Sequence, residues 1–127
     1  MSDTTISVKA FSVKVVRLGR AMPRSAEGRA LSGELNRLGL KLAQTYLKYI
    51  RSHRDQEGPA FLAHARDCLK VLTEILGWLD LVSKANLGWG TRISPLHAEC
   101  QKLISTFAAI KETPTARNSI TRRAAYL

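Results

Sequence analysis

Apolar side chains recur along this chain at steps of three and four, the spacing that lines one face of an α-helix. Val8, Phe11, Val15, Leu18 and Met22 form the first stripe and predict a helix over about residues 5–21. The β-branched valines also allow a strand over residues 11–16. Pro23 interrupts the rhythm, and Ser25 with Glu27 can start a second helix over about 25–51. Its stripe is Leu31, Leu35, Leu38, Leu42, Thr45 and Tyr49. The polar stretch SHRDQEG follows, and Pro59 suits the first position of a third helix over about 59–85. That helix carries Phe61, Ala65, Cys68, Leu72, Ile75, Leu79 and Val82. Residues 86–93 (NLGWGTRI) hold two glycines and no periodicity, which predicts a loop. Ser94-Pro95 reads as an N-cap and first turn for a fourth helix over about 95–111, with Leu96, Cys100, Leu103, Phe107 and Ile110 on one face.

Four amphipathic helices with short connections pack most simply as an all-α, antiparallel up-down-up-down four-helix bundle over residues 1–113. Residues 114–127 follow as a basic C-terminal tail without a sustained stripe, although Ile120 and Tyr126 could dock on an apolar face. A length of 127 residues suits one hydrophobic core. The composition, 45% hydrophobic and 24% charged, is that of a folded domain and not of a disordered tail. No apolar run approaches the ~18 residues that span a bilayer. The first residues show no apolar stretch followed by a small-residue cleavage site, so a secretory signal is not expected. A cytoplasmic protein with Cys68 and Cys100 as buried thiols is the expectation.

Helices 2 and 3 are more apolar than a lone bundle requires. Leu40, Ala43, Leu47 and Ile50 line a second face of helix 2, and Val71, Ile75, Trp78 and Val82 do the same on helix 3. A wide core would account for them. So would a homo-oligomer interface built from Leu40, Leu47, Ile50, Val71, Ile75, Trp78 and Val82, with the tryptophan as anchor.

Charge sharpens the picture. The net charge is +10, and residues 1–54 hold eleven Lys/Arg against three Asp/Glu. Residues 55–112 hold six against seven, and the tail adds Arg117, Arg122 and Arg123. Positive charge gathered in one half points to an anionic partner, of which nucleic acid is the commonest, although solubility alone also explains it. Arg37, Lys41, Lys48 and Arg51, with Gln44 between, form a row about 20 Å long on helix 2 that no acidic residue of the helix interrupts. Such a row can meet several phosphates. Arg17, Arg20 and Arg24, beside Lys14, make a second cluster, and an oligomer would repeat both.

Other chemistry is not expected. His64 and Cys68, with His97 and Cys100, have the spacing of a zinc set. A hairpin folded near residue 90, however, would set Cys100 opposite residue 80 and leave Cys68 ~18 Å away. No metal site or cofactor is therefore predicted. The Glu-x-x-His pairs of di-iron bundles, a phosphate-cradling Gly-x-x-x-x-Gly-Lys loop and a Gly-x-Ser-x-Gly elbow are missing from the sequence. The core stripes carry no Arg/Glu constellation, so catalysis is not predicted.

Three stretches, residues 21–53, 61–87 and 93–110, resemble the bacterial four-helix-bundle proteins encoded in 23S rRNA intervening sequences and the Avd accessory proteins of diversity-generating retroelements. The shared features are Met22-Pro23 before helix 2, Phe61 opening helix 3, and the rhythm Leu69, Leu72, Glu74, Leu79 closed by Ala85. A final helix with Leu96, Cys100 and Leu103 completes the likeness, which covers about residues 8–111. The intervening-sequence branch carries Asn-Ile-Ala-Glu-Gly late in helix 2, where this chain reads Tyr-Leu-Lys-Tyr-Ile-Arg-Ser-His. The basic, leucine-rich helix 2 is more similar to the Avd branch. The resemblance implies a homopentamer with a positive surface that binds nucleic acid and a reverse transcriptase. Two functions are thus carried forward: a nucleic-acid-binding accessory protein, and an oligomeric scaffold for a protein partner that never touches nucleic acid.

Overall fold

The computed structural model describes residues 3–54, 58–85 and 90–126, with side chains placed at 3–52, 60–85 and 92–110. The fold is all-helical, and no strand occurs among the described residues. Its elements are α1 (Asp3–Arg20), α2 (Ala26–Arg54), α3 (Gly58–Lys84) and α4 (Gly90–Tyr126). They pack as a helical bundle in which α1 meets α2, α2 meets α3, α3 meets α4, and α4 returns to α1 through the slightest of the four contacts.

The strand option over residues 11–16 is overturned, for a simple reason. A strand would put Phe11, Val13 and Val15 on one face. In the helix Phe11 and Val15 are buried beside Val8 and Leu18, and Val13 is left 48% exposed. The start of α2 follows the capping expectation: the Gly28 amide donates to Ser25 Oγ at 3.0 Å. Its stripe differs at one position. Tyr46, not Thr45, completes the core with Tyr49, because Tyr46 reaches Phe107 of α4 and shares a 2.6 Å hydrogen bond with the Thr5 hydroxyl. Tyr49 stacks on Phe61 and meets Phe107 edge-on, so four aromatic rings close one end of the core.

α4 starts earlier and ends later than its sequence pattern suggests. Ile93 is buried, which draws the segment ahead of Ser94-Pro95 into the helix. Pro95 then stands in the second turn of the helix, where it gives up the backbone bond its amide would make one turn back. At the other end the backbone stays helical through Pro114 to Tyr126. The side chains of Ile120 and Tyr126 lie outside the described residues.

α1 and α2 approach closely at two glycines. A Cβ on Gly39 would sit 2.7 Å from Val16 Cγ2 and 3.1 Å from the Ser12 carbonyl, and one on Gly19 would crowd Ser32 and Asn36. Gly33 and Gly77 face open space. Gly39→Ala is therefore expected to lower stability by about 1–2 kcal/mol, the overpacking outweighing the helix-propensity gain. Gly33→Ala and Gly77→Ala should each raise it by about 0.5–1 kcal/mol. Urea unfolding of the three variants checks the contrast.

Candidate nucleic-acid interface

The inward stripe of α2, Leu35, Leu38, Leu42, Tyr46 and Tyr49, fixes which of its residues look outward. Lys41, Lys48 and Arg51 are exposed, and no carboxylate pairs with them among the described residues. Arg37 is different. Its Nε donates to Glu34 Oε2 at 2.8 Å, and its Nη2 lies 3.7 Å from Glu74 of α3. The hydrogen bond to Glu34 raises the guanidinium's already high pKa. The basic row on α2 is thus shorter than its sequence suggests, because Glu34, one turn back on the same helix, and more distantly Glu74 of α3 engage its first member.

Arg17, Arg20 and Arg24 are exposed as well, the first two on the outer face of α1 and the third in the turn. Lys14 is held in a 2.8 Å ion pair with Glu99 across the α1–α4 seam. Two exposed cations of this half, Lys9 and Arg29, were not singled out from the sequence. Lys9 lies four residues before Val13 and eleven before Arg20, so the outward helical face of α1 would have disclosed it.

Charge separates by helix pair. Over the described side chains, α1, the turn and α2 carry ten Lys/Arg and three Asp/Glu, whereas α3 and α4 carry five and four. The cations of the first pair outnumber every carboxylate within reach, so the field on that side stays positive. Uncompensated cations on a convex surface attract a polyanion without selecting its bases.

No family model matches this chain, and no curated protein or solved structure is detectably similar to it.

The residues proposed for a subunit interface divide into two groups. Val71, Ile75 and Val82 are 2%, 0% and 1% exposed, so they belong to the subunit's own core. The second stripe of α3 turns inward because α3 packs against α2 on one side and α4 on the other, and needs a wider apolar arc than one neighbour would demand. Leu40 and Leu47 stand exposed, and Ile50 and Trp78 are half-buried.

Cys68 and Cys100 are buried free thiols. Cys100 Sγ donates to the Leu72 carbonyl at 3.2 Å, which corrects the expected register. Because α4 begins at Gly90, Cys100 lies level with Leu72, one turn from Cys68 along α3 instead of three. Among the described residues no group of three or more His, Cys, Asp or Glu converges as a metal set. His97 Nε2 instead meets Asp80 Oδ1 at 2.8 Å. The pair lines a cleft of about 430 Å³ with Ser83 and Ser94, and neither serine hydroxyl hydrogen-bonds to the imidazole.

Burial pushes each thiol from the usual 9.0 up to about 12. The unfolded chain releases these protons near pH 9, while the folded chain holds them. The stability contributed by the neutral thiols is thus present below about pH 9 and is lost as the pH rises toward 12. Urea midpoints should fall between pH 8 and pH 10.5, and the fall should be smaller in Cys68→Ala/Cys100→Ala. Equal slopes would contradict the buried, neutral thiols.

Proposed function

We propose that this chain is a cytoplasmic, non-enzymatic accessory protein that grips RNA or DNA through its phosphates, using the cationic half formed by α1, the turn and α2. One observation carries the reading. Arg17, Arg20, Arg24, Lys41, Lys48 and Arg51 are exposed on one pair of helices and the turn between them, and none of them is neutralised by a carboxylate among the described residues. Free, buried cysteines suit a reducing compartment.

The architecture we propose is the antiparallel up-down-up-down bundle. Thr5 beside Tyr46 and Gly19 beside Asn36 support it for α1 and α2, as do Tyr49 beside Phe61 and Arg37 beside Glu74 for α2 and α3. In each pair one residue number rises as the other falls. Assembly into a homo-oligomer belongs to the same proposal, the family resemblance implying a pentamer and a reverse transcriptase as the enzyme assisted. Repetition of the cationic half around an assembly would add avidity for a long polyanion.

The test is binding of a 30-base-pair duplex and of a structured RNA at several salt concentrations, with the oligomeric state followed by light scattering. The logarithm of the affinity should fall linearly with the logarithm of salt, by about 0.9 per phosphate neutralised on the duplex. Lys41→Ala/Lys48→Ala/Arg51→Ala should flatten that slope by about two to three and weaken all sequences alike. Arg37→Ala, already engaged by two glutamates, should change it by less than one such increment. Weak binding that the triple variant leaves unaltered would overturn the proposal in favour of a scaffold that holds a protein partner.

A further inference from the structure

Phosphate binding leaves one feature of the cationic half without a purpose. Among the described residues the exposed large hydrophobics are Ile6, Val13, Leu40, Leu47 and Leu81, and four of the five stand on α1 and α2. Leu40 is the most open of them, at 59%. Aliphatic side chains gain nothing from a phosphate and cost solubility when left together in water.

Their positions are matched across the two helices. Ile6 and Val13 are seven residues apart on α1, as are Leu40 and Leu47 on α2. Thr5 lies beside Tyr46 and the Ser12 carbonyl beside Gly39. On that register Ile6 falls within about half a turn of Leu47, and Val13 within about half a turn of Leu40. The result is two apolar rungs about 10 Å apart, two turns of helix, on a surface that the close glycine packing makes continuous. Lys9 sits between the rungs on α1, and Lys48 and Arg51 flank them on α2. Carboxylates border it at its α4 edge, where Asp3 and Glu99 line a cleft with Ile6, Lys14 and Lys102; Glu27 lies at a helix end, and Glu34 is turned to Arg37.

We propose that this two-rung face docks an amphipathic helix of a partner protein, one whose apolar stripe is bordered by Asp and Glu. The apolar rungs meet the stripe, spaced as the i and i+7 anchors of a helix laid over them, and the surrounding cations meet the acidic borders. A second copy set face to face is disfavoured, because the same face against itself would bring like charges together. An anionic membrane is disfavoured too, because the aromatic anchors typical of interfacial helices are missing here: Phe11, Tyr46 and Tyr49 are all buried. The inference does not rest on nucleic-acid binding.

The probe is a fluorescein-labelled 21-residue peptide with leucine at i, i+3, i+7, i+10 and i+14, flanked by glutamates. It is compared with a scrambled peptide of equal composition, using the full chain. The ordered peptide should bind at least tenfold more tightly than the scrambled one. Ile6→Ser/Val13→Ser and Leu40→Ser/Leu47→Ser should each lose at least tenfold, and both pairs are exposed, so circular dichroism should show the helices intact. Equal binding of the two peptides would reduce the face to bulk charge and overturn the proposal. So would self-association, seen by light scattering, that Leu40→Ser/Leu47→Ser abolishes, or binding to phosphatidylserine vesicles with no response to either peptide. Duplex binding by the serine variants should match wild type, so failure of the phosphate reading and failure of this one are told apart.

Discussion

The missing side chain at Gly39 sets the distance between α1 and α2, and that distance decides what kind of surface the protein presents. A methyl group there would collide with Val16 and crowd the Ser12 carbonyl. With only hydrogen, the two backbones come close enough for their outer faces to merge. Gly19 repeats the arrangement against Ser32 and Asn36. The closeness has a cost, since Ser12 Oγ and Asn36 Oδ1 are buried without a hydrogen-bond partner. An unsatisfied buried polar atom costs about 1–3 kcal/mol. The seam is held instead by Val8, Phe11, Val15 and Leu18 against Leu35, Leu38 and Leu42, all buried. Shape and aliphatic packing, more than polar bonding, define the side that carries the charge.

Most of the core could be read directly from spacing. Val8 through Leu18 on α1 and Ala65 through Val82 on α3 are buried where their helical steps place them. A three-and-four rhythm reports one face of one helix well. It reports badly how many neighbours that helix has. The second stripe of α3 looked like surplus apolar surface, yet Val71, Ile75 and Val82 fill the space between two neighbours. The exchange of Thr45 for Tyr46 has a similar origin. Both lie near the edge of the α2 stripe, and the choice is made by Phe107 and Thr5, residues sixty-one and forty-one positions away in the chain.

The charged residues show the same limit from the other side. Exposure of Lys41, Lys48, Arg51, Arg17, Arg20 and Arg24 was legible, since each lies off the core stripe. Neutralisation was legible only in part. Lys14 is satisfied by Glu99 of another helix, about which a single-helix wheel holds no information; Arg37 is held chiefly by Glu34, three residues back on its own helix and visible on the wheel, with Glu74 of α3 farther off. The ends of α4 escaped for a different reason. Ser94-Pro95 is a sound local start signal, but burial of Ile93 overrides it, as packing commonly overrides propensity.

The two kinds of cation on this molecule therefore do different work. Lys14 and Arg37 sit at seams between helices and face carboxylates, so their charge serves the fold, although exposed pairs of this kind contribute little each. Among the described residues the remaining cations of α1 and α2 have no such partner and repel one another across a shared face. Self-repulsion of that sort lowers stability and favours no particular fold. The exposed rungs of Ile6, Val13, Leu40 and Leu47 lie in the same place and are equally useless to the core. Neither charge nor apolar surface on this side is explained by the needs of the folded chain alone. Both become favourable when something anionic, apolar or both covers them, and that is the physical ground on which the proposed roles of the α1–α2 face rest.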